Sequence, residues 1–193
     1  TAKKALIAFY GKNGKIWVSR SATGGHNSTD IGNIAVGLQS SNQVWSSSYL
    51  SRRLYEISGA TPIPEDPTIV LYHELGHQIT KRARYAAADW DTDINSLITE
   101  MQVLRDDQWA GITPLSSMEF YKNRATENPQ YNTQFWEDMA ELMGLYLMGR
   151  DYVIAYLDDR ISTKRRDKAN IDDGLKGRIM DVLDASYNHY VQR

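Results

Sequence analysis

The chain has 193 residues, with 22 Lys and Arg against 24 Asp and Glu, a net charge of −2, and no cysteine. That length suits one domain with a substantial core, and the interspersed charges give no electrostatic footprint for nucleic acid. Without cysteine there is no disulfide framework, thiolate nucleophile or cysteine-ligated zinc, so any metal chemistry must use His, Asp and Glu. No uncharged stretch approaches the ~20 residues of a membrane-spanning helix.

The N-terminus, Thr1-Ala2-Lys3-Lys4, has no initiator Met and no signal peptide, and reads as a mature form or a domain cut from a longer chain. Residues 5–10 (ALIAFY) and 15–19 (KIWVS) flank Gly11-Lys12-Asn13-Gly14, and this Asn-Gly signal between β-prone runs predicts a β-hairpin. From Ser21 to Ser48 the chain is rich in Gly, Ser, Asn and Thr, with short apolar runs at Ile34–Leu38 and Val44-Trp45 that predict loops and short strands. Residues 49–58 read as helical, and a proline-bearing loop follows from Gly59 to Pro67.

Asp66-Pro67 then supplies an N-cap and a first-turn proline for a helix that reaches His73 in its second turn. Further helices are predicted from Asp91 or Thr92 to about Trp109, from Ser116 through Arg124, from Thr133 to Gly149, over 151–161 and over 171–191. The basic run Lys164-Arg165-Arg166 reads as a solvated turn between the last two, and the scattered tryptophans as core anchors. The expected fold is a single α+β domain over 1–193: 1–66 mainly strands and loops, forming a small N-terminal sheet, and 67–193 mainly helical.

The most informative residues are His73-Glu74-Leu75-Gly76-His77. On a helix, residues i and i+4 share a face, so His73 and His77 can present ring nitrogens to one zinc ion. Glu74 falls on the neighbouring face, where it can act as a base toward water instead of ligating. The apolar lead-in Thr68–Tyr72 argues for a buried helix, and Gly76 costs about 1 kcal/mol of helix propensity relative to Ala, which points to close packing.

A catalytic zinc takes a third protein ligand, and the extended HExxHxxGxxH pattern is absent because Thr80 occupies the glycine position. Two carboxylates compete. Glu137 lies in a segment, 135–149, that is apolar around most of its helical circumference, with Glu141 one turn beyond and Gly144 in line. Two carboxylates on one buried stripe call for a cation, and Glu141 could then accept the other ring N–H of a ligating histidine. Glu100 is the second candidate, since a helix returning from about Thr92 brings it level with His77. His26, in a Gly-Ser-rich loop, could be a further ligand but reads as a surface residue.

The HELGH and the downstream Glu137-Asp138-Met139-Ala140-Glu141 resemble the gluzincin metallopeptidases, in particular the anthrax lethal factor catalytic domain and the secreted Pro-Pro endopeptidases. The resemblance implies a zincin-like fold, zinc endopeptidase activity on a protein or peptide substrate, and Tyr131 as the hydroxyl that steadies the tetrahedral intermediate. Tyr131 stands six residues before Glu137 where those families use seven, so Tyr121 is a second candidate. A fainter resemblance of Thr99–Leu104 to the third-ligand segment of clostridial neurotoxin light chains and injected bacterial effectors would instead use Glu100. Either resemblance implies a bacterial toxin, effector or secreted peptidase, acting outside its own cell or inside a target cell. The alternative expectation is a catalytically inactive zincin-like module that binds a protein partner through its groove.

Overall fold

A computed structural model describes residues 1–19, 25–28, 33–37, 67–85, 92–110, 112–113, 133–167 and 170–192. The elements in chain order are α1 (Ala2–Gly11), β1 (Lys15–Ser19), β2 (Gly25–Ser28), β3 (Asn33–Gly37), α2 (Pro67–Tyr85), α3 (Thr92–Leu104), a π-helical turn (Arg105–Trp109), α4 (Thr133–Met148), α5 (Arg150–Asp167) and α6 (Leu175–Gln192). A small sheet near the N-terminus precedes a helical remainder, in accord with the α+β class. The expected elements over 44–45, 49–58 and 116–124 lie outside the described residues.

The predicted hairpin is not formed. Residues 2–11 are helical, and β1 pairs with β3, in parallel, from Lys15 opposite Asn33 to Ser19 opposite Gly37. Ala2, Ala5 and Ala8 with Lys3, Lys4 and Leu6 are strong helix formers, and Ala5 and Phe9, one turn apart, are both buried. The Asn-Gly signal serves the helix end. Asn13 has φ 61°, and the Gly14 amide donates to the Phe9 carbonyl at 3.0 Å, so the turn closes a helix C-terminus where a hairpin was expected.

The sheet has the order β1-β3-β2, with β2 antiparallel to β3. β2 and β3 lie against α2, and the buried Ile34 and Val36 of β3 face inward. α2 is the central element, touching the sheet, α4 and α6. α4 is buried along most of its length, as its all-round apolar pattern predicts, and Phe135, Trp136, Met139, Leu142, Met143, Leu145 and Leu147 each contribute about 1.5–3 kcal/mol by leaving water.

Two glycines set the spacing between α2 and α4. A Cβ on Gly76 would overlap the carbonyl oxygen of Ala140, and one on Gly144 would stand 3.3 Å from the His73 amide nitrogen. The Thr80 hydroxyl also donates to the Gly76 carbonyl at 2.8 Å. The obstacle at Gly76 is backbone, which cannot swing aside as a flexible side chain would. Gly76→Ala is therefore expected to lose about 1–3 kcal/mol of stability in denaturant unfolding despite the better helix propensity of alanine. A neutral or stabilising result would mean that the two helices are not held this close.

The basic run Lys164-Arg165-Arg166 is the last turn of α5, not an interhelical turn. There it complements the helix dipole while Lys164 donates to the Ala110 carbonyl and Arg165 pairs with Asp173.

Candidate metal centre

α2 begins at Pro67, so His73 and His77 fall on successive turns of its inward face. Their rings stand 4.7 Å apart, centroid to centroid, at 86° to one another. α4 crosses this face at the glycine contacts and brings Glu137 over both histidines. Glu137 Oε2 lies 3.3 Å from His73 Nε2 and 3.3 Å from His77 Nε2. Although that close, Oε2 accepts no hydrogen bond of ordinary geometry among the described residues. Two ligands bound at about 2.0–2.1 Å to one tetrahedral ion stand about 3.3–3.4 Å apart. The carboxylate oxygen thus stands at ligand spacing from each imidazole nitrogen, the candidate ligand atoms of the three residues lie within 4.8 Å of one another, and the donor set, two imidazoles and one carboxylate, suits zinc.

The charges agree with the geometry. Burial works against protonation of His73, but the Glu137 carboxylate together with the charges of Glu74 and Glu141 outweighs it and pushes His73 up from its ordinary 6.5 to about 9. Burial likewise works against ionisation of Glu137, and the two histidines overcome it, holding its carboxyl well below the usual range. A cation is favoured where these groups meet, and in its absence a proton on His73 serves.

The sign of the pH dependence follows. The raised His73 stabilises the metal-free fold fully below pH 6.5 and stops doing so as pH rises through about 9. The depressed Glu137 contributes above its ordinary 4.5 and is lost as pH falls. Both contributions are complete between those limits. A ligating imidazole must be neutral, so zinc uptake at pH 7 is expected to release about one proton per chain, fading above pH 9. Titration calorimetry in buffers of different ionisation enthalpy measures this count, and zero protons at pH 7 would contradict the charge state.

Glu74, the expected base, is buried on α2 beside His73, close enough for its charge to act on that ring. Glu141 is also buried and acts on His73 through its charge, but Nδ1 of His73 and Nδ1 of His77 have no hydrogen-bond partner among the described residues. The structure does not bring Glu100, the alternative candidate, into this group. Its side chain is 49% exposed and pairs with Arg178 at 3.7 Å, because α3 turns that residue toward solvent and α6 while Ile94, Ile98 and Met101 take the inner face. Tyr131 and Tyr121 lie outside the described residues. His26 falls on β2, opposite Ala35 of β3.

One supporting group was missed by sequence reasoning. Asp138, adjacent to Glu137, is fully buried, accepts from Arg105 Nε at 3.0 Å, and accepts from the backbone and hydroxyl of Thr113. Tyr156 and Arg160 of α5 donate to the Ile112 carbonyl, so Arg105, Ile112 and Thr113 are held between α4 and α5. A signal existed: Ile94, Ile98, Met101 and Arg105 form one i, i+4, i+7, i+11 stripe, which puts the arginine on the apolar face.

Comparison of the chain with protein-family models, with curated proteins and with solved structures finds no match.

Proposed function

We propose that the chain is a zinc-dependent endopeptidase of zincin-like architecture, with His73, His77 and Glu137 holding the ion and Glu74 as general base. The observation that carries this reading is the approach of Glu137 Oε2 to within 3.3 Å of both Nε2 atoms, with the Glu74 carboxylate buried alongside. Bound zinc supplies Lewis acidity, which acidifies water toward a pKa of about 7 and polarises a carbonyl.

The chain's residues do the rest. Glu74 takes a proton from the attacking water and returns it to the departing amine. Its burial keeps the carboxylate clear of bulk water, and its place between the two ligands gives it reach without entering the ligand set. Glu141 adds negative charge behind His73, which strengthens the hold of the ring on a cation. Tyr131, assigned by family resemblance, donates its hydroxyl to the developing oxyanion. Among the described residues β2 is an edge strand beside α2, suited to hold an extended peptide substrate by main-chain hydrogen bonds. The assignment to a secreted or injected bacterial toxin or effector rests on the resemblance alone.

Metal analysis of the wild type beside Glu137→Ala and Glu100→Ala, with a peptide-library cleavage assay on the same samples, tests the reading. Near-stoichiometric zinc and cleavage in the wild type and in Glu100→Ala, both lost in Glu137→Ala, is the expected result. A wild type that takes up no zinc on reconstitution and cuts no peptide would pass the chain to the binding-module reading.

A further inference from the structure

The N-terminal segment carries a surface that the metal centre does not use. The first acidic residue of the chain is Asp30, and five Lys and Arg precede it, so the acidic excess behind the net charge of −2 lies wholly beyond this segment. Ala5 and Phe9 bury one face of α1. The helix is fastened to α6 on that side: the Tyr187 hydroxyl donates to the Thr1 carbonyl at 3.0 Å, and the Lys12 ammonium donates to the Tyr190 carbonyl at 3.1 Å while lying over the Tyr190 ring.

The opposite face of α1 presents Lys3, Ile7 and Tyr10 at i, i+4 and i+7, and Ile7 and Tyr10 are 62% and 56% exposed. Gly14 is pressed against the Phe9 ring, so the turn is tight and β1 starts beside the end of α1. Among the described residues β1 is an edge strand of the sheet, and Lys15 and Trp17 project from one of its faces, with Trp17 61% exposed and Val18, on the other face, 60% exposed. Lys3, Lys4 and Lys15 are exposed and form no ion pair among the described residues.

We propose that this face, formed by Lys3, Lys4, Ile7, Tyr10, Lys15 and Trp17, is a docking surface for an anionic lipid bilayer. Tryptophan and tyrosine are the side chains that settle at a bilayer interface, and a helix with an apolar stripe flanked by lysine lies in that plane. The charge is complementary to acidic headgroups, and each lysine near such a surface contributes about 1 kcal/mol, or about fivefold in binding.

Vesicle co-sedimentation of the full chain tests this, with phosphatidylcholine alone and with phosphatidylcholine mixed with phosphatidylserine. Binding is expected only to the mixed vesicles, weakened about thirtyfold in Lys3→Gln/Lys4→Gln. Binding should be lost further in Ile7→Ser/Trp17→Ser, and a blue shift of tryptophan emission on binding should shrink in Trp17→Phe. Circular dichroism and zinc content unchanged in these variants separate loss of docking from loss of fold. No binding to the mixed vesicles, or equal binding to both kinds, overturns the proposal. Self-association of the wild type without vesicle binding, abolished by Ile7→Ser/Trp17→Ser, also overturns it and gives the face to a second copy of the chain.

Discussion

Glu74→Gln is expected to lower peptide hydrolysis by about 10²–10⁴-fold while zinc content and melting behaviour stay near those of the wild type. The amide keeps the size and most of the packing of a side chain that is only 4% exposed, but it cannot take a proton from water. Glu74 is outside the group formed by His73, His77 and Glu137, so the ion should remain. Glu74 is also one of the charges that hold the proton on His73, so in the variant that proton should leave at lower pH and zinc should bind at lower pH than in the wild type. The zinc-binding pH profile thus separates a base beside the ligands from a residue whose loss merely disturbs the helix. Turnover at the wild-type level would remove Glu74 from the role.

The second large effect is expected at Arg105→Met, with a loss of about 3–5 kcal/mol of stability. Asp138 is completely buried, and the substitution removes the cationic partner at 3.0 Å from its carboxylate. A buried carboxylate deprived of its cation either stays charged at high cost or takes up a proton and weakens its bonds to Thr113. The destabilisation should therefore diminish at acid pH. Adding Asp138→Asn, which removes the charge yet keeps an acceptor for Thr113, should recover a large part of the loss. Urea unfolding of the two single variants and the double variant measures the coupling. Additive losses would show that the pair does not act as a unit.

The extent to which the site is legible in the sequence depends on how local each signal is. His73, Glu74 and His77 are tied by helix geometry, which needs only a start signal and a period; Asp66-Pro67 and the apolar lead-in supply both, and α2 begins at Pro67. Glu137 is legible at one remove, since a helix that is apolar all round must be buried, and a carboxylate in it must meet a cation or donors. The choice between Glu137 and Glu100 is not local. Both candidates sit on helices of suitable length, and what separates them is that the backbones at Gly76 and Ala140 touch, which brings α4 against α2 and leaves Glu100 paired with Arg178 in solvent.

The N-terminal segment shows the limit from the other side. Asn13-Gly14 marks a left-handed turn in a hairpin and at a helix end alike, and a six-residue run with alanine, leucine and aromatics is compatible with either period. Contact with α6 decides for the helix, through Thr1 and Lys12, whose partners Tyr187 and Tyr190 lie well over a hundred residues away. The tryptophans divide likewise: Trp109 and Trp136 are core residues, whereas Trp17 is exposed, because β1 leaves the face that carries it uncovered.

By itself the sequence determined the α+β class, the helix that carries His73, Glu74 and His77, and the need for a buried carboxylate with a compensating charge. Periodicity, capping and the energetic penalty of isolated buried charge act within a few turns of chain. Only the tertiary structure decided which carboxylate meets the histidines, that Arg105 and Asp138 brace the helix beside it, and which face of the N-terminal segment is left open. Those outcomes depend on how closely distant backbones can approach, and that closeness is set by packing between elements.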